Sequence, residues 1–217
     1  MDAKVKFHRI YPAAIPPMRA DKSALGSLPA AAYQYCEAVR TASAFGWYIF
    51  PPVDIRLKWD GADTVFERHG KWHPLTSAQF DDEFLELWDA QAPPQLTGRA
   101  PPFLASLFVP GFVQIWSGLF VSSAKDWSVL VRPLANVVQS RAYVCYEGIV
   151  ETDSFGPAPL FVNIRLLSTD VEIFIPASMP LFQVQPIHRE CYSEATLTPG
   201  GFGAGESADA FEMSNAD

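Results

Sequence analysis

The stretch AYVCYEGIVETDSFGPAPLFVNIRLL, residues 142–167, decides the fold class, because two strand-like runs flank an acidic turn in it. The runs AYVCYEGIV and LFVNIRLL are rich in β-branched and aromatic residues, which favour strands. Between them, GIVETDSFG (148–156) begins and ends with glycine and holds Thr152, Asp153 and Ser154, side chains that often satisfy backbone groups in turns. Two interpretations stay open: a structural turn, or a loop with catalytic carboxylates.

Five more runs of this kind lie on either side of this stretch. They are FLASLFV, FVQIWSGLFV, WSVLVRP, VEIFIP and LFQVQPI, and Gly, Pro, Asp and Ser separate them. Seven short runs at close spacing predict a mainly β fold, as an antiparallel β-clip or barrel-like domain or a sandwich. Nearer the N-terminus, KVKFHRIY predicts a first strand and TVFERHGKWHP a hairpin.

Two helices are predicted to flank this β structure, which gives the N-terminal half an α+β character. SLPAAAYQYCEAVRTASAFG predicts a helix over about 29–44, with Ser27 as N-cap and Gly46 as its stop. TSAQFDDEFLELWDAQ predicts a second over about 77–90, because its large apolar residues recur at helical spacing.

Length and charge set the broad class. The 217 residues predict one domain over 1–192, followed by a flexible acidic tail over 193–217 that is rich in Gly, Ala and Ser. The formal charge of −8, without a Lys/Arg cluster, argues against nucleic acid as a partner. No apolar run is long enough for a membrane span or a signal peptide, so we expect a cytoplasmic protein. Three widely spaced cysteines predict reduced, buried thiols.

Six segments of the chain carry a resemblance when they are taken together. They are FGWYIFPP, KWDG, DWSVLVRPLAN, GIVETDSFG, PLFVNIRLLS and ASMPLFQVQPI. They resemble an uncharacterised bacterial family of domains of unknown function, which shows a Gly-Trp near a Pro, a Trp-Asp-Gly turn and a G-V-I-E-T-D-W stretch. The resemblance covers roughly residues 45–190 and implies no activity.

GIVETDSFG is also similar, more distantly, to the G-V-I-D-x-D-Y-x-G motif of the dUTPase and dCTP-deaminase superfamily of β-clip proteins. The segment LFVNIRLLSTDVEIFIPASMPLFQV resembles the strands that follow, with Gln183 at the family's Gln, and GGFGAG in the tail resembles its Gly-rich arm. The resemblance implies a nucleotide phosphohydrolase with Mg²⁺ held by substrate phosphates, Glu151 as base, Asp153 beside it and Phe202 stacked on a ring. It also implies a possible homo-oligomer.

The sequence departs from that superfamily at three places. Ser154 replaces the tyrosine that packs against the sugar, and Tyr48 stands where an aspartate is expected. The segment Arg132-Pro133-Leu134-Ala135 lacks the Ser and Gly of the phosphate loop.

Aromatic side chains suggest a ligand site of another kind. Trp47, Trp116 and Trp127 fall in or beside predicted strands, and aromatic walls hold planar or apolar ligands in β structures. Arg132 could clamp a carboxylate or phosphate. Core packing explains the same residues.

Four residues are weak candidates for metal ligands: His69, His73, His188 and Glu190. Two histidines and a glutamate could form a facial triad for non-haem iron. Solvent-facing side chains are the alternative, and the sequence specifies no cofactor.

Three functions therefore follow as hypotheses, and whether the protein is an enzyme stays open. The first is a small-molecule-binding protein, such as an accessory or tailoring enzyme of bacterial metabolism, with an aromatic-lined pocket. The second is a dUTPase-like Mg-dependent phosphohydrolase. The third is a metal-dependent oxidoreductase that uses the His and Glu candidates.

Overall fold

The computed structural model describes residues 4–138 and 142–192. There the chain forms three antiparallel sheets and three short α-helices, which confirms the predicted mainly β fold, and the described strands form no closed barrel. The strands are Val5–Arg9 (β1), Met18–Arg19 (β2), Trp47–Ile49 (β3), Ile55–Trp59 (β4), Thr64–Arg68 (β5), Lys71–Pro74 (β6), Ser77–Ala78 (β7), Leu104–Ser106 (β8), Phe112–Ser123 (β9), Trp127–Arg132 (β10), Tyr143–Cys145 (β11), Gly148–Val150 (β12), Ala158–Leu166 (β13), Ile173–Ile175 (β14) and Phe182–His188 (β15). The α-helices are Ala30–Tyr35 (α1), Glu37–Ala44 (α2) and Asp82–Gln91 (α3).

The order of the strands shows how the sheets share the chain. The first sheet has the strand order β11-β13-β9-β8-β7, and β1 also pairs with β9. The second runs β12-β10-β15-β3-β2, and the third runs β14-β4-β5-β6. Consecutive strands β11 and β12 therefore lie in different sheets, so the predicted single run AYVCYEGIV is in fact two strands. The chain leaves β13 after Tyr146, whose N–H donates to the carbonyl of Asn163 at 2.8 Å, and then joins β10.

Strand β9 is the centre of the first sheet. Its 12 residues pair with β13 on one edge, while β8 and β1 share the other edge. The change from β8 to β1 falls at Gly118, whose φ is +77° and whose carbonyl accepts hydrogen bonds from the N–H groups of Ile10 and Tyr11 at 3.1 and 2.9 Å. A Cβ at Gly118 would lie 2.8 Å from that of Tyr11, so only glycine lets the two segments approach this closely.

One buried apolar cluster takes side chains from all three sheets. Ile115 and Ile164 come from the first sheet, Val184 from the second and Leu57 from the third, and all four are fully buried. Burial of these surfaces is the main favourable term in folding. Inward and outward residues alternate along most of β13, as expected for a strand with one buried face.

The predicted helix over 29–44 is wrong as a single element. Cys36 has φ −114° and ψ 90°, an extended conformation that separates α1 from α2. The N-cap is Pro29, while the Ser27 hydroxyl accepts from the N–H of Val138 at 3.3 Å. Helix α1 buries no residue, whereas α2 buries Ser43. No Gly or Pro marks this break in the sequence.

The second predicted helix, over 77–90, begins later than expected. Ser77 and Ala78 pair with β8 as a short strand, and the helix starts after Asp81, whose carboxylate accepts from the N–H of Phe84 at 2.9 Å. The sequence shows a capping residue, Asp81, but it does not show the pairing with a distant strand that places Ser77 and Ala78 in the sheet.

The predicted first strand and the hairpin are confirmed. Strands β5 and β6 pair as a hairpin around His69 and Gly70, whose φ angles are +53° and +75°, as in a type I′ turn. No helix in the described part of the chain is long and apolar enough to cross a membrane. The tail over 193–217, with Phe202, lies outside the described residues, so the division into domain and tail stays a prediction.

Candidate functional site

The acidic stretch after β12 is a compact turn held by one arginine. Arg189, just past β15, places Nη1 2.9 Å from a Glu151 carboxylate oxygen and Nη2 2.6 and 2.7 Å from the two oxygens of Asp153. The N–H of Asp126 donates to Asp153 at 3.0 Å, and the Tyr192 hydroxyl donates to Glu151 at 3.4 Å. Both predicted catalytic carboxylates are therefore paired with the same guanidinium.

Thr152, between these carboxylates, fixes the turn to the sheet below. Its side chain is buried, and its hydroxyl lies 2.6 Å from that of Ser123 at the end of β9. The Glu151 carbonyl accepts from the N–H groups of Ser154 and Phe155 at 3.0 and 3.1 Å. This geometry is that of an anchored turn, and a catalytic role for Glu151 or Asp153 stays a prediction.

The charges of the turn are set by the arginine. Hydrogen bonds from Arg189 hold the pKa of Asp153 below its ordinary value, and those bonds raise the pKa of the arginine itself. At neutral pH, Asp153 is an anion and Arg189 a cation.

Replacing Asp153 by asparagine should therefore lower the free energy of unfolding at neutral pH more than it does in acid. A carboxyl whose folded pKa is lowered stabilises the fold above its unfolded pKa of about 3.9, and this stabilisation is lost as the pH falls through the lower folded value. Urea unfolding midpoints of the parent and Asp153→Asn should thus differ at pH 7 and converge below about pH 4. Asp63→Asn, at an exposed aspartate, is the control and should show no such convergence. A difference between the two urea midpoints that grows as the pH falls would contradict a lowered pKa of Asp153.

The three predicted tryptophans do not meet in one pocket. Trp116 is fully buried among phenylalanines of the core. Trp47 lies under Arg19, 4.8 Å from the guanidinium carbon to the ring centroid, and Trp127 packs edge-on against His188. Trp47 and Trp127 pair with positions four residues apart on opposite edges of β15. Their ligand-binding role stays a prediction.

Gln183, predicted to bind ligand, is fully buried in β15. Its side-chain oxygen accepts from the N–H of Ala135 at 2.9 Å, and its nitrogen donates to the carbonyls of Ser43 and Phe45. These bonds join the second sheet to the end of α2 and to the segment after β10. The amide is thus occupied by backbone partners, and ligand contact stays a prediction.

The candidate metal ligands lie in two separate places. His69 and His73 belong to the hairpin of the third sheet. His188 ends β15 and Glu190 lies two residues further on, with 3.4 Å between Nδ1 and Oε2. Among the described residues, no group of three or more His, Cys, Asp or Glu side chains is placed to hold a metal ion.

The cysteines differ in exposure, against the expectation that all three are buried. Cys145 is buried, and burial raises the pKa of its thiol to about 12. Cys36 is partly exposed and Cys191 is exposed, and all three are free thiols.

A cleft opens where the chain leaves β13 to join β10, and its volume is about 280 Å³. Strand β12 forms one side as the end strand of the second sheet. Residues 159–162 of β13 form the other side. Strand β11 pairs only with residues 164–166 of β13, so it does not cover this part of the edge. The cleft is lined by Gln114, Val121, Val131, Tyr146, Glu147, Gly148, Val150, Pro159, Leu160, Phe161, Val162 and Asn163.

Sequence reasoning missed the two amides of this cleft. Gln114 of β9 and Asn163 of β13 are cross-strand partners, and Gln114 Nε2 donates to Asn163 Oδ1 at 3.1 Å. Their polar character at outward positions was visible in the strand pattern, but their pairing depends on strand register. Of the predicted site residues, Arg132 comes near the cleft, with Nη2 3.3 Å from a Glu147 carboxylate oxygen.

No protein-family model matches this chain, and no curated protein does. Solved structures that resemble it include dUTPases of Staphylococcus phages. For the phage 80alpha dUTPase with dUPNHPP, the TM-score is 0.45 at 9% identity, over 94% of this chain and 92% of that one. For the phage phi11 dUTPase of S. aureus, the TM-score is 0.42 at 10% identity, over 93% and 99%. A likeness at this level concerns the course of the backbone and says nothing about a ligand or a reaction.

Proposed function

We propose that this protein binds a small planar molecule in the cleft between β12 and β13. One observation carries the proposal: within the described residues, neither β12 nor residues 159–162 has a strand partner on the side of the cleft. Backbone N–H and C=O groups at such edges need hydrogen-bond partners. The carbonyls of Val150 and Leu160 already accept from the Thr152 N–H and the Ser117 hydroxyl, so a ligand would bind the other groups of these edges. A flat heterocycle with donors and acceptors around its rim supplies them, and nucleobases belong to this class.

The amide pair supports the same ligand class. Each side-chain amide has a donor and an acceptor end, and the bond between Gln114 and Asn163 uses one of each. Gln114 Oε1 and Asn163 Nδ2 take no part in that bond, and no hydrogen bond to another described residue uses them, so both can bind a ligand. A neighbouring donor and acceptor match the amide-like edge of a heterocycle.

The base of the cleft favours a flat and partly apolar molecule. Val121, Val131 and Leu160 line it and are buried, and Phe161 lines it as well. Apolar lining with a few placed polar groups is usual for small-molecule sites, and about 280 Å³ lies at the small end of their range. The size suits one or two fused rings.

Arg132 supports an anionic substituent on the ligand. Its Nε is buried and has no hydrogen-bond partner, and its Nη2 pairs only loosely with Glu147. Guanidinium groups bind phosphate and carboxylate through two parallel hydrogen bonds. A phosphate or carboxylate on the ligand would thus compete with Glu147 for Arg132.

Ligand binding should depend on Asn163. We expect uracil, uridine or uridine monophosphate to raise the melting temperature of the parent protein, and we expect Asn163→Ala to weaken binding by about five- to tenfold, the value of one hydrogen bond. Arg165→Ala is a matched control on the same face of β13 and should bind like the parent, because Arg165 does not line the cleft. Absence of stabilisation by all three probes at millimolar concentration would refute the proposal.

The same preparation tests the enzymatic alternatives. The phosphohydrolase hypothesis requires Mg²⁺-dependent pyrophosphate release from dUTP that is lost in Glu151→Gln. The oxidoreductase hypothesis requires stoichiometric iron, zinc or copper in purified protein. A role in bacterial metabolism, a cytoplasmic location and a homo-oligomer stay predictions, and native mass spectrometry reports the last together with any bound ligand.

A further inference from the structure

A second cavity, which we call the α3 groove, lies on another part of the surface. Its volume is about 420 Å³, and it shares no lining residue with the cleft. Residues of α3 and of the segment after it line the groove together with Ile10, Phe120 and Pro157. The lining residues are Ile10, Phe84, Leu87, Trp88, Gln91, Ala92, Pro93, Leu96, Phe120 and Pro157.

An acidic cavity of about 230 Å³ adjoins this groove. Phe84 and Leu87 line both spaces, so the two cavities adjoin along α3. The acidic cavity adds the carboxylates of Asp81 and Glu83 and the ring of Tyr11. The pair of cavities therefore joins an apolar space to a negatively charged one.

The two carboxylates of this region lie at the N-terminus of α3, where Asp81 caps the helix by accepting from the N–H of Phe84. No Lys, Arg or His lines either cavity. Burial raises the pKa of Tyr11, and the charges of Asp81 and Glu83 raise it further. The tyrosine ring is held by stacking on Phe80, with centroids 4.0 Å apart. A cation would be attracted by both carboxylates and by the aromatic ring.

We propose that the α3 groove and the acidic cavity together bind an organic cation, with its apolar body in the groove and its ammonium group against Asp81, Glu83 and Tyr11. The groove has the volume and apolar lining of a small-molecule site. The charge of the adjoining cavity selects the cation over a neutral or anionic molecule of the same shape.

The protein's own C-terminal tail does not suit this site. Its acidic residues would face carboxylates of the same charge, and it offers no Lys or Arg. These acidic residues are Glu194, Glu206, Asp209, Glu212 and Asp217.

Three probes that differ only in their polar end test the proposal: 4-phenylbutylamine, 4-phenylbutanol and 4-phenylbutyrate. By titration calorimetry on the full chain, the amine should bind about three- to tenfold more tightly than the alcohol, and the carboxylate more weakly than both. The advantage of the amine should shrink in about 0.5 M salt, because salt screens exposed charges. Equal affinity for amine and alcohol, or no binding of the amine at millimolar concentration, would overturn the proposal and leave the groove as an apolar docking surface for protein.

Matched variants locate the two halves of the site. Glu83→Gln should bring the amine affinity close to that of the alcohol and leave the alcohol unchanged. Glu86→Gln, on the same helix but lining neither cavity, should bind both probes as the parent does. Leu96→Asn should weaken the binding of both probes, because it places a neutral polar side chain in the apolar part of the site. If Glu83→Gln and Glu86→Gln have the same effect, the assigned ammonium position is wrong.

Discussion

Replacing Trp116 by alanine should lower the free energy of unfolding by about 3 to 5 kcal/mol, the range for deletion of a large buried aromatic side chain. The indole is fully buried in β9, and its Nε1 donates to the carbonyl of Leu119 at 2.8 Å. The variant loses this hydrogen bond and leaves a cavity in the aromatic cluster around the ring. The rings of that cluster nearest to Trp116 are Phe80, Phe84, Phe120 and Phe161, with centroids 5.5, 6.1, 5.8 and 6.4 Å away.

Urea unfolding followed by far-ultraviolet circular dichroism measures this loss without relying on tryptophan fluorescence. Trp72→Ala is the matched control, because Trp72 is 37% exposed on β6 and its ring packs on Lys58. We expect the free energy of unfolding of this control variant to fall by about 1 kcal/mol or less. Comparable losses in the two variants would show that Trp116 is not at the centre of the core.

The second large effect is expected for Gln183→Leu. Leucine approximately preserves the volume but leaves the N–H of Ala135 and the carbonyls of Ser43 and Phe45 without this partner. A buried polar group without a partner costs about 1 to 3 kcal/mol. Gln185 also donates to the Phe45 carbonyl, at 3.0 Å, so that group keeps one bond. We therefore expect a total loss of about 2 to 4 kcal/mol.

Gln34→Leu, at an exposed position of α1, is the control and should change the free energy of unfolding by less than about 0.5 kcal/mol. Affinity for the uridine probes, measured below the melting temperature of the variant, separates the two roles considered for Gln183. If Gln183 only links parts of the fold, Gln183→Leu should lower the free energy of unfolding and leave the affinity for the uridine probes nearly unchanged. A large loss of affinity with unchanged stability would instead favour ligand contact.

The sequence was informative where a pattern is local. Period-two alternation predicted β1, β-branched and aromatic content predicted β13, and a turn near Gly70 predicted the hairpin of β5 and β6, because these signals depend on neighbouring residues. Helix α3 was predicted from its apolar spacing, but its start was wrong because Ser77 and Ala78 pair with a distant strand.

Tertiary structure decided the site, because each of its contacts joins residues far apart in the chain. GIVETDSFG, with its glycines and small polar residues, determined a turn, but its Arg189 partner lies 36 positions beyond Asp153 and comes near only through the pairing of β10 with β12 and β15. The Gln114–Asn163 pair spans 49 positions and depends on the register of β9 and β13. The sequence therefore determined a mainly β fold with an acidic turn, since these follow from local backbone preferences. The paired carboxylates, the cleft and the α3 groove follow only from packing, which no local pattern encodes.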